Sequence, residues 1–296
     1  MKKELKYLIY FAVVVLIINW TGQQVLLYGI NKFYGLNQYS EMLILDNSRL
    51  MLAIDKQKLE NELNVSVAKY TREGVDVYDK YCMFKQVLDS KYGDSIQVVL
   101  YGVDQFTFGS EESSANAYKL FYPFMDEPVM DEYIEKNASG WRDYYSHKYF
   151  PLCRYTDQLI NASIRGWFND YSNKKQGTLD IEKYRKSNPG RDVSMQPGLI
   201  ETFGKTMDLL TERNIKVILI SVPIVDALNN YDPENRDKVI RFLEEYAATN
   251  ERIEYWNFNP KFSSDYSLFF DPVHLNPLGQ EVFTQEIISR LKEHYD

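Results

Sequence analysis

K-V-I-L-I-S-V, Lys216 to Val222, is the clearest buried-strand signal in the chain. One lysine opens it and Pro223 stops it. A run this short, rich in β-branched residues and without polar alternation, reads as a strand buried on both faces. Gln196–Glu212 before it and Glu234–Ala247 after it have helical spacing. A strand held between two helices belongs to a parallel sheet whose crossovers cover both faces.

The same alternation extends in both directions. Met42-Leu-Ile-Leu45, Val65-Ser-Val-Ala68, Ile96-Gln-Val-Val-Leu-Tyr-Gly102 and Ile253–Phe258 read as further strands. Val75–Leu88 has helical spacing, and Pro277–His294 reads as a closing amphipathic helix with proline near its first turn. The expected fold class is α/β: a three-layer α/β/α sandwich around a parallel, flavodoxin-like sheet of about five strands. Sites in such sheets lie beyond the carboxyl ends of the strands. The stretch from about Phe106 to Val193 breaks the rhythm. It is rich in aromatics (Y-K-L-F-Y-P-F, W-R-D-Y-Y-S-H-K-Y-F) and reads as an insertion folded over the sheet rather than a separate domain.

The first thirty residues stand apart. Lys2, Lys3 and Lys6 precede an apolar run from Tyr7 to Trp20, which extends to Ile30 through Thr21-Gly-Gln-Gln24. That is about 24 residues, or roughly 36 Å of helix at ~1.5 Å per residue, enough to span a bilayer. No A-x-A-like site follows the run, so an uncleaved anchor is favoured over a signal peptide. The lysine bias puts residues 1–30 down as a cytoplasmic N-terminus and single membrane span, with residues 31–296 outside the cytoplasm. Gln23 and Gln24 mark the outer end of the span or face a partner in the membrane, since glutamines are costly against lipid.

Across 296 residues, 45% are apolar, enough for a sizeable core. The net charge of −8 excludes broad nucleic-acid binding, which needs a basic footprint. Cys82 and Cys153 form no CxxC pair; one disulfide or two buried thiols both fit. No zinc-ligand spacing, EF-hand loop, G-x-G-x-x-G or phosphate loop is present, so neither metal nor cofactor is expected. Gly198 and Gly204-Lys-Thr206 imitate a phosphate loop, but five residues separate the glycines and the segment is helical in pattern. His147 and His294 carry no motif and read as surface residues.

The residues just past the strands carry the chemistry. Asp46-Asn-Ser-Arg49, Thr71-Arg-Glu-Gly74, Gly102-Val-Asp104 and Asp271-Pro-Val-His274 would meet at one edge of a parallel sheet. Together they supply a hydroxyl, an imidazole, a carboxylate and a glycine turn with its N–H. These are the parts of nucleophilic acyl transfer. Each also has a plainer reading. Ser48 fits a helix cap, His274 a structural histidine, Asp271 a turn residue before proline, Gly74 a strand–helix turn, and Arg49 the partner of an acid.

In this order the blocks resemble the SGNH/GDSL hydrolase superfamily. The likeness is greatest to its membrane-anchored extracytoplasmic branch, which includes alginate O-acetylation proteins and the Dlt-pathway D-alanine transfer protein. The resemblance runs from about Met42 onward. L-D-N-S-R matches the first block with Ser48 as nucleophile, and Gly74 matches the second-block glycine. Gly102-Val-Asp104 matches the third block, normally G-x-N. Asp271-Pro-Val-His274-Leu-Asn matches the D-x-x-H block that supplies acid and base. The resemblance implies Ser48, His274 and Asp271 as catalytic residues, with Gly74, Asp104 and Arg49 on the oxyanion or substrate. It further implies O-acyl transfer to a polysaccharide or envelope glycan beside a membrane-bound O-acyltransferase partner. Ester hydrolysis, or a catalytically silent subunit, are its alternatives. Two positions depart from the pattern. Asp46 stands where the family has glycine, and Asp104 where it has asparagine. An ionised carboxylate only accepts hydrogen bonds, so Asp104 must be protonated, turned away or bound to another group.

Overall fold

The computed structural model describes residues 2–109, 116–187, 190–191 and 193–295. It divides into two compact units.

The larger unit, Asn37–Ser114 with Tyr171–Asp296, holds the sheet. Five parallel strands run β1 Met42–Asp46, β2 Val67–Thr71, β3 Val98–Val103, β4 Lys216–Ser221 and β5 Ile253–Asn257, in spatial order β2-β1-β3-β4-β5. The switch in strand order lies at β1 and β3, the position where an open α/β sheet forms a crevice. β4 is the buried strand expected from its composition, with Val217, Ile218, Leu219 and Ile220 fully buried. β2 begins and ends later than its sequence signal. Lys69 lies buried within it, its ammonium bonding the carbonyls of Met51 and Ile54 at 2.7 and 2.5 Å. A lysine inside a strand hides the apolar pattern, and these carbonyls make its burial tolerable.

Side chains alternate across the sheet. On one face Tyr101 stacks on Phe84 at 5.6 Å and meets Phe203 edge-on at 5.8 Å, joining helices Val77–Leu88 and Pro197–Glu212 to the sheet. Toward the far edge, Phe203, Phe108, Phe242 and Tyr246 extend this aromatic layer. On the other face Trp256, Phe258 and Phe283 join β5 to the closing helix Pro277–Tyr295. A small antiparallel pair, β6 Phe269–Asp271 and β7 His274–Leu275, precedes that helix.

The smaller unit is Met1–Leu36 with Ala115–Asp170. Its first helix, Lys2–Tyr34, is long and apolar enough to cross a membrane. Beside it lie helices Pro128–Asn137, Trp141–Tyr149 and Asp157–Trp167. The first and last of these four helices touch backbone to backbone. A Cβ on Gly166 would collide with the Gly29 carbonyl, and one on Gly29 with Ser163. The aromatic stretch thus divides differently from the reading of a single insertion over the sheet. Residues 115–170 group with the N-terminal helix, whereas Tyr171 onward groups with the sheet.

Several smaller expectations also change. Gln23 is buried inside the smaller unit, bonding the Pro123 carbonyl at 3.3 Å and accepting from the Tyr155 hydroxyl at 2.7 Å. His147 is partly buried, its ring stacked on Tyr122 at 3.8 Å and its Nδ1 2.6 Å from the Asp143 carbonyl. The His294 side chain lies outside the described residues. Cys82 and Cys153 are not joined in a disulfide.

Candidate active site

Ser48 sits on a sharp strand-to-helix turn. β1 ends at Asp46, and Asn47 caps the six-residue helix Ser48–Ala53 by accepting from the Arg49 N–H at 3.0 Å. The capping role open to Ser48 therefore belongs to Asn47, and Ser48 begins the helix with its hydroxyl free for other work. That hydroxyl lies 2.8 Å from Nε2 of His274. Nδ1 of the same imidazole lies 2.8 Å from Asp271 Oδ2. The other Asp271 oxygen accepts from the backbone N–H groups of Val273 and His274 at 3.0 and 2.9 Å. One carboxylate thus closes the D-x-x-H turn and orients the imidazole, so the two readings of Asp271 describe one structure.

The charge state follows from these contacts. Burial pushes the Asp271 carboxyl pKa upward, but the hydrogen bonds from His274 and the two backbone donors outweigh it. Together they hold the group below the ordinary carboxylate value. An ionised Asp271 keeps a proton on Nδ1, which leaves Nε2 as the acceptor facing Ser48.

Asn47, Ser48, Arg49, Gly74, Arg191, Val273 and His274 line a cleft of about 170 Å³. Gly74 adopts φ +71°, a left-handed turn at the end of β2 that suits glycine. Neither the Ser48 nor the Gly74 N–H donates a hydrogen bond to any described residue. Both lie at the cleft and are available to an oxyanion.

Asp104 is not among the lining residues. It is buried, with Oδ1 accepting from the Phe106 N–H at 2.6 Å and the other oxygen paired with the Arg49 guanidinium. It neither reaches the reacting centre nor donates there; it holds Arg49, which does line the cleft. Phe106 carries Arg49 and Arg191 against its ring, at 5.7 and 4.5 Å from the centroid. At this position a carboxylate stands in place of an asparagine donor, and the guanidinium of Arg49 that it holds lines the cleft.

Asp46 is also accounted for. Its carboxylate is 2.5 Å from the Lys80 ammonium, both groups almost fully buried, and it accepts from the Leu50 N–H at 3.2 Å. Lys80 in turn bonds the Gly102 carbonyl at 2.9 Å. Gly102 is the neighbour that makes room, because a Cβ there would strike the Asp46 carboxyl. Sequence reasoning passed over Lys80, though a signal existed: it lies on the apolar stripe Val77, Phe84, Val87 of its helix. Arg191 had no such signal, standing in an irregular stretch far from every motif.

An α/β/α sandwich with serine, histidine and aspartate in a hydrogen-bonded line at the carboxyl edge of its sheet has the parts of nucleophilic acyl chemistry, a constellation that recurs on several unrelated folds. The chain matches no family model and no curated protein. Among solved structures it is similar to a GDSL-like lipase from Bacteroides thetaiotaomicron, at 12% identity over 84% of this chain and 88% of that one, TM-score 0.38. It is likewise similar to the C-terminal catalytic domain of peptidoglycan O-acetyltransferase A from Streptococcus pneumoniae, at 10% identity over 86% and 94%, TM-score 0.41. A third likeness is to a carbohydrate esterase of family 2 from Corynascus thermopiles, at 7% identity over 84% and 64%, TM-score 0.42.

Proposed function

We propose that this chain is a membrane-anchored SGNH-type O-acyltransferase that moves a small acyl group onto a hydroxyl of an extracytoplasmic glycan. The observation that carries it is the line Ser48–His274–Asp271, with both links at 2.8 Å. Ser48 Oγ attacks the donor's acyl carbonyl while Nε2 of His274 takes its proton. The N–H groups of Ser48 and Gly74 receive the developing oxyanion. The carbon–leaving-group bond breaks, and His274 returns the proton to the leaving oxygen. An acceptor hydroxyl then gives its proton to His274 and attacks the Ser48 ester, and Ser48 leaves reprotonated. Asp271 keeps its charge throughout and stabilises the imidazolium.

The small cleft favours a short acyl chain, and the N-terminal helix favours a donor delivered at a membrane. A membrane-bound O-acyltransferase is the partner that the family resemblance implies. The lysines ahead of the helix support a cytoplasmic N-terminus with the sheet unit outside. Intact-mass spectrometry after exposure to an aryl acetate tests the mechanism. An acetyl adduct is expected on wild type and none on Ser48→Ala, whose turnover should fall roughly 10⁶-fold. Adding glycan hydroxyls then separates transfer from hydrolysis. Turnover that yields only acetate makes the chain an esterase. No adduct under any donor makes it a silent subunit and removes the covalent mechanism.

A further inference from the structure

We propose that the segment Tyr149–Cys153 is a membrane-dipping prong: its apolar tip enters the outer interface of the bilayer that the N-terminal helix spans. The segment reads Y-F-P-L-C, without a charge, and Tyr149, Phe150, Leu152 and Cys153 are all exposed. Exposed apolar tips of this kind are uncommon unless something covers them.

Depth along the N-terminal helix identifies the cover. A hydrocarbon core of about 30 Å takes about 20 helical residues. Counted from Tyr7, just past the last lysine, the span ends near Leu26. The prong is fastened inside that limit. The Leu152 N–H donates to the Asn19 side chain at 2.9 Å, and the Leu152 side chain fills the space left by Gly22. Asn19 and Gly22 lie some four to seven residues short of the boundary, or roughly 6–10 Å at 1.5 Å per residue. That is the depth at which interfacial elements rest. Burial along the helix agrees. Residues from Leu5 to Ile18 present their apolar side chains outward, whereas Asn19 and Gln23 are covered.

Two further features equip the prong for lipid. Every backbone N–H at its tip is satisfied, as a bilayer demands. Phe150 donates to the Ser146 carbonyl at 3.1 Å, Cys153 to the Phe150 carbonyl at 2.8 Å, Leu152 to Asn19, and Pro151 has none. The flanking cations are paired: Lys148 with Asp131 at 2.6 Å, and Arg154 with Asp126 through a two-bond fork at 2.8 and 3.1 Å. At the boundary itself Tyr28 and Trp167 meet at 4.5 Å, both exposed, the residue types that collect at membrane interfaces.

The test uses the full chain with Cys82→Ser and Cys153→Ala, in phosphatidylcholine–phosphatidylglycerol vesicles that hold no other protein. A polarity-sensitive fluorophore is attached in turn at Phe150→Cys, Ile17→Cys and Glu234→Cys. The lipids carry spin labels near the ester end of their acyl chains. At Phe150 the label should lose most of its fluorescence to the spin labels and shift to the blue, as at Ile17, while the Glu234 label keeps its emission. Quenching at Ile17 but not at Phe150 overturns the prong while leaving the anchor intact, and points to a protein partner on that surface. Absence of quenching at both removes the span and the prong together. Near-ultraviolet circular dichroism of each variant guards against misfolding. None of these outcomes bears on acylation of Ser48, so the catalytic reading fails or stands separately.

Discussion

Asp271 sets the charge of the site, and its shift makes a pH prediction with a definite sign. Its folded pKa lies below the unfolded value of about 3.8. The stability it contributes is therefore fully present above that value and lost as pH falls through the lower, folded one. Chemical denaturation of wild type and Asp271→Asn should show a stability gap that is constant through the neutral range and closes only below about pH 4. A gap that closes near pH 6 would place the linkage on another group. The same variant loses the acceptor that fixes a proton on Nδ1, so its acylation rate should fall by about 10⁴ even where it remains folded. The histidine and aspartate of this site were legible in the sequence because D-x-x-H is local: one turn fixes both side chains. Asp104 was legible as an anomaly only. Its partner Arg49 lies 55 positions away in the chain, and residue types alone do not pair across that distance.

At the scale of elements, β1 and its helical neighbour carry the second departure. The Asp46–Lys80 pair links the end of β1 to the buried face of helix Val77–Leu88. Removing one member of such a pair strands a charge in the interior and costs about 3–5 kcal/mol. Asp46→Gly, which restores the residue expected from the family pattern, should therefore destabilise the chain by that amount in urea. Asp46→Gly with Lys80→Met should recover most of it, since an apolar replacement of a buried pair is often neutral. Equal losses in the single and double variants would mean that the carboxylate acts mainly through the Leu50 N–H. The strands themselves were read correctly where burial is complete, as in β4, because continuous apolar runs leave little choice. β2 shifted because Lys69 is buried against carbonyls that belong to a different helix and its following turn. A sequence reports polarity but not the partners that neutralise it.

For the molecule as a whole, the partition into two units is the part that the sequence hid. Nothing local in Trp141–Asp170 says that it packs with a helix more than a hundred residues earlier; the contact rests on small residues, which carry little pattern of their own. Gly29 and Gly166 let two helix backbones meet, and the pairing is then tied by the Trp167 indole N–H on the Val25 carbonyl at 3.0 Å. Small residues at a helix crossing let the two backbones approach this closely. Gly166→Val inserts a branched side chain against the Gly29 carbonyl and the Phe33 backbone. Overpacking of this kind costs about 1–3 kcal/mol, and more where backbone blocks the way. The loss should fall on the smaller unit alone. Protease cuts should appear first within residues 116–170, and Trp167 emission should shift to the red as its ring leaves Tyr28. Acylation of Ser48 by a soluble aryl ester should keep its wild-type rate, because every group that forms the cleft belongs to the larger unit. Loss of that activity in Gly166→Val would show instead that the two units fold as one.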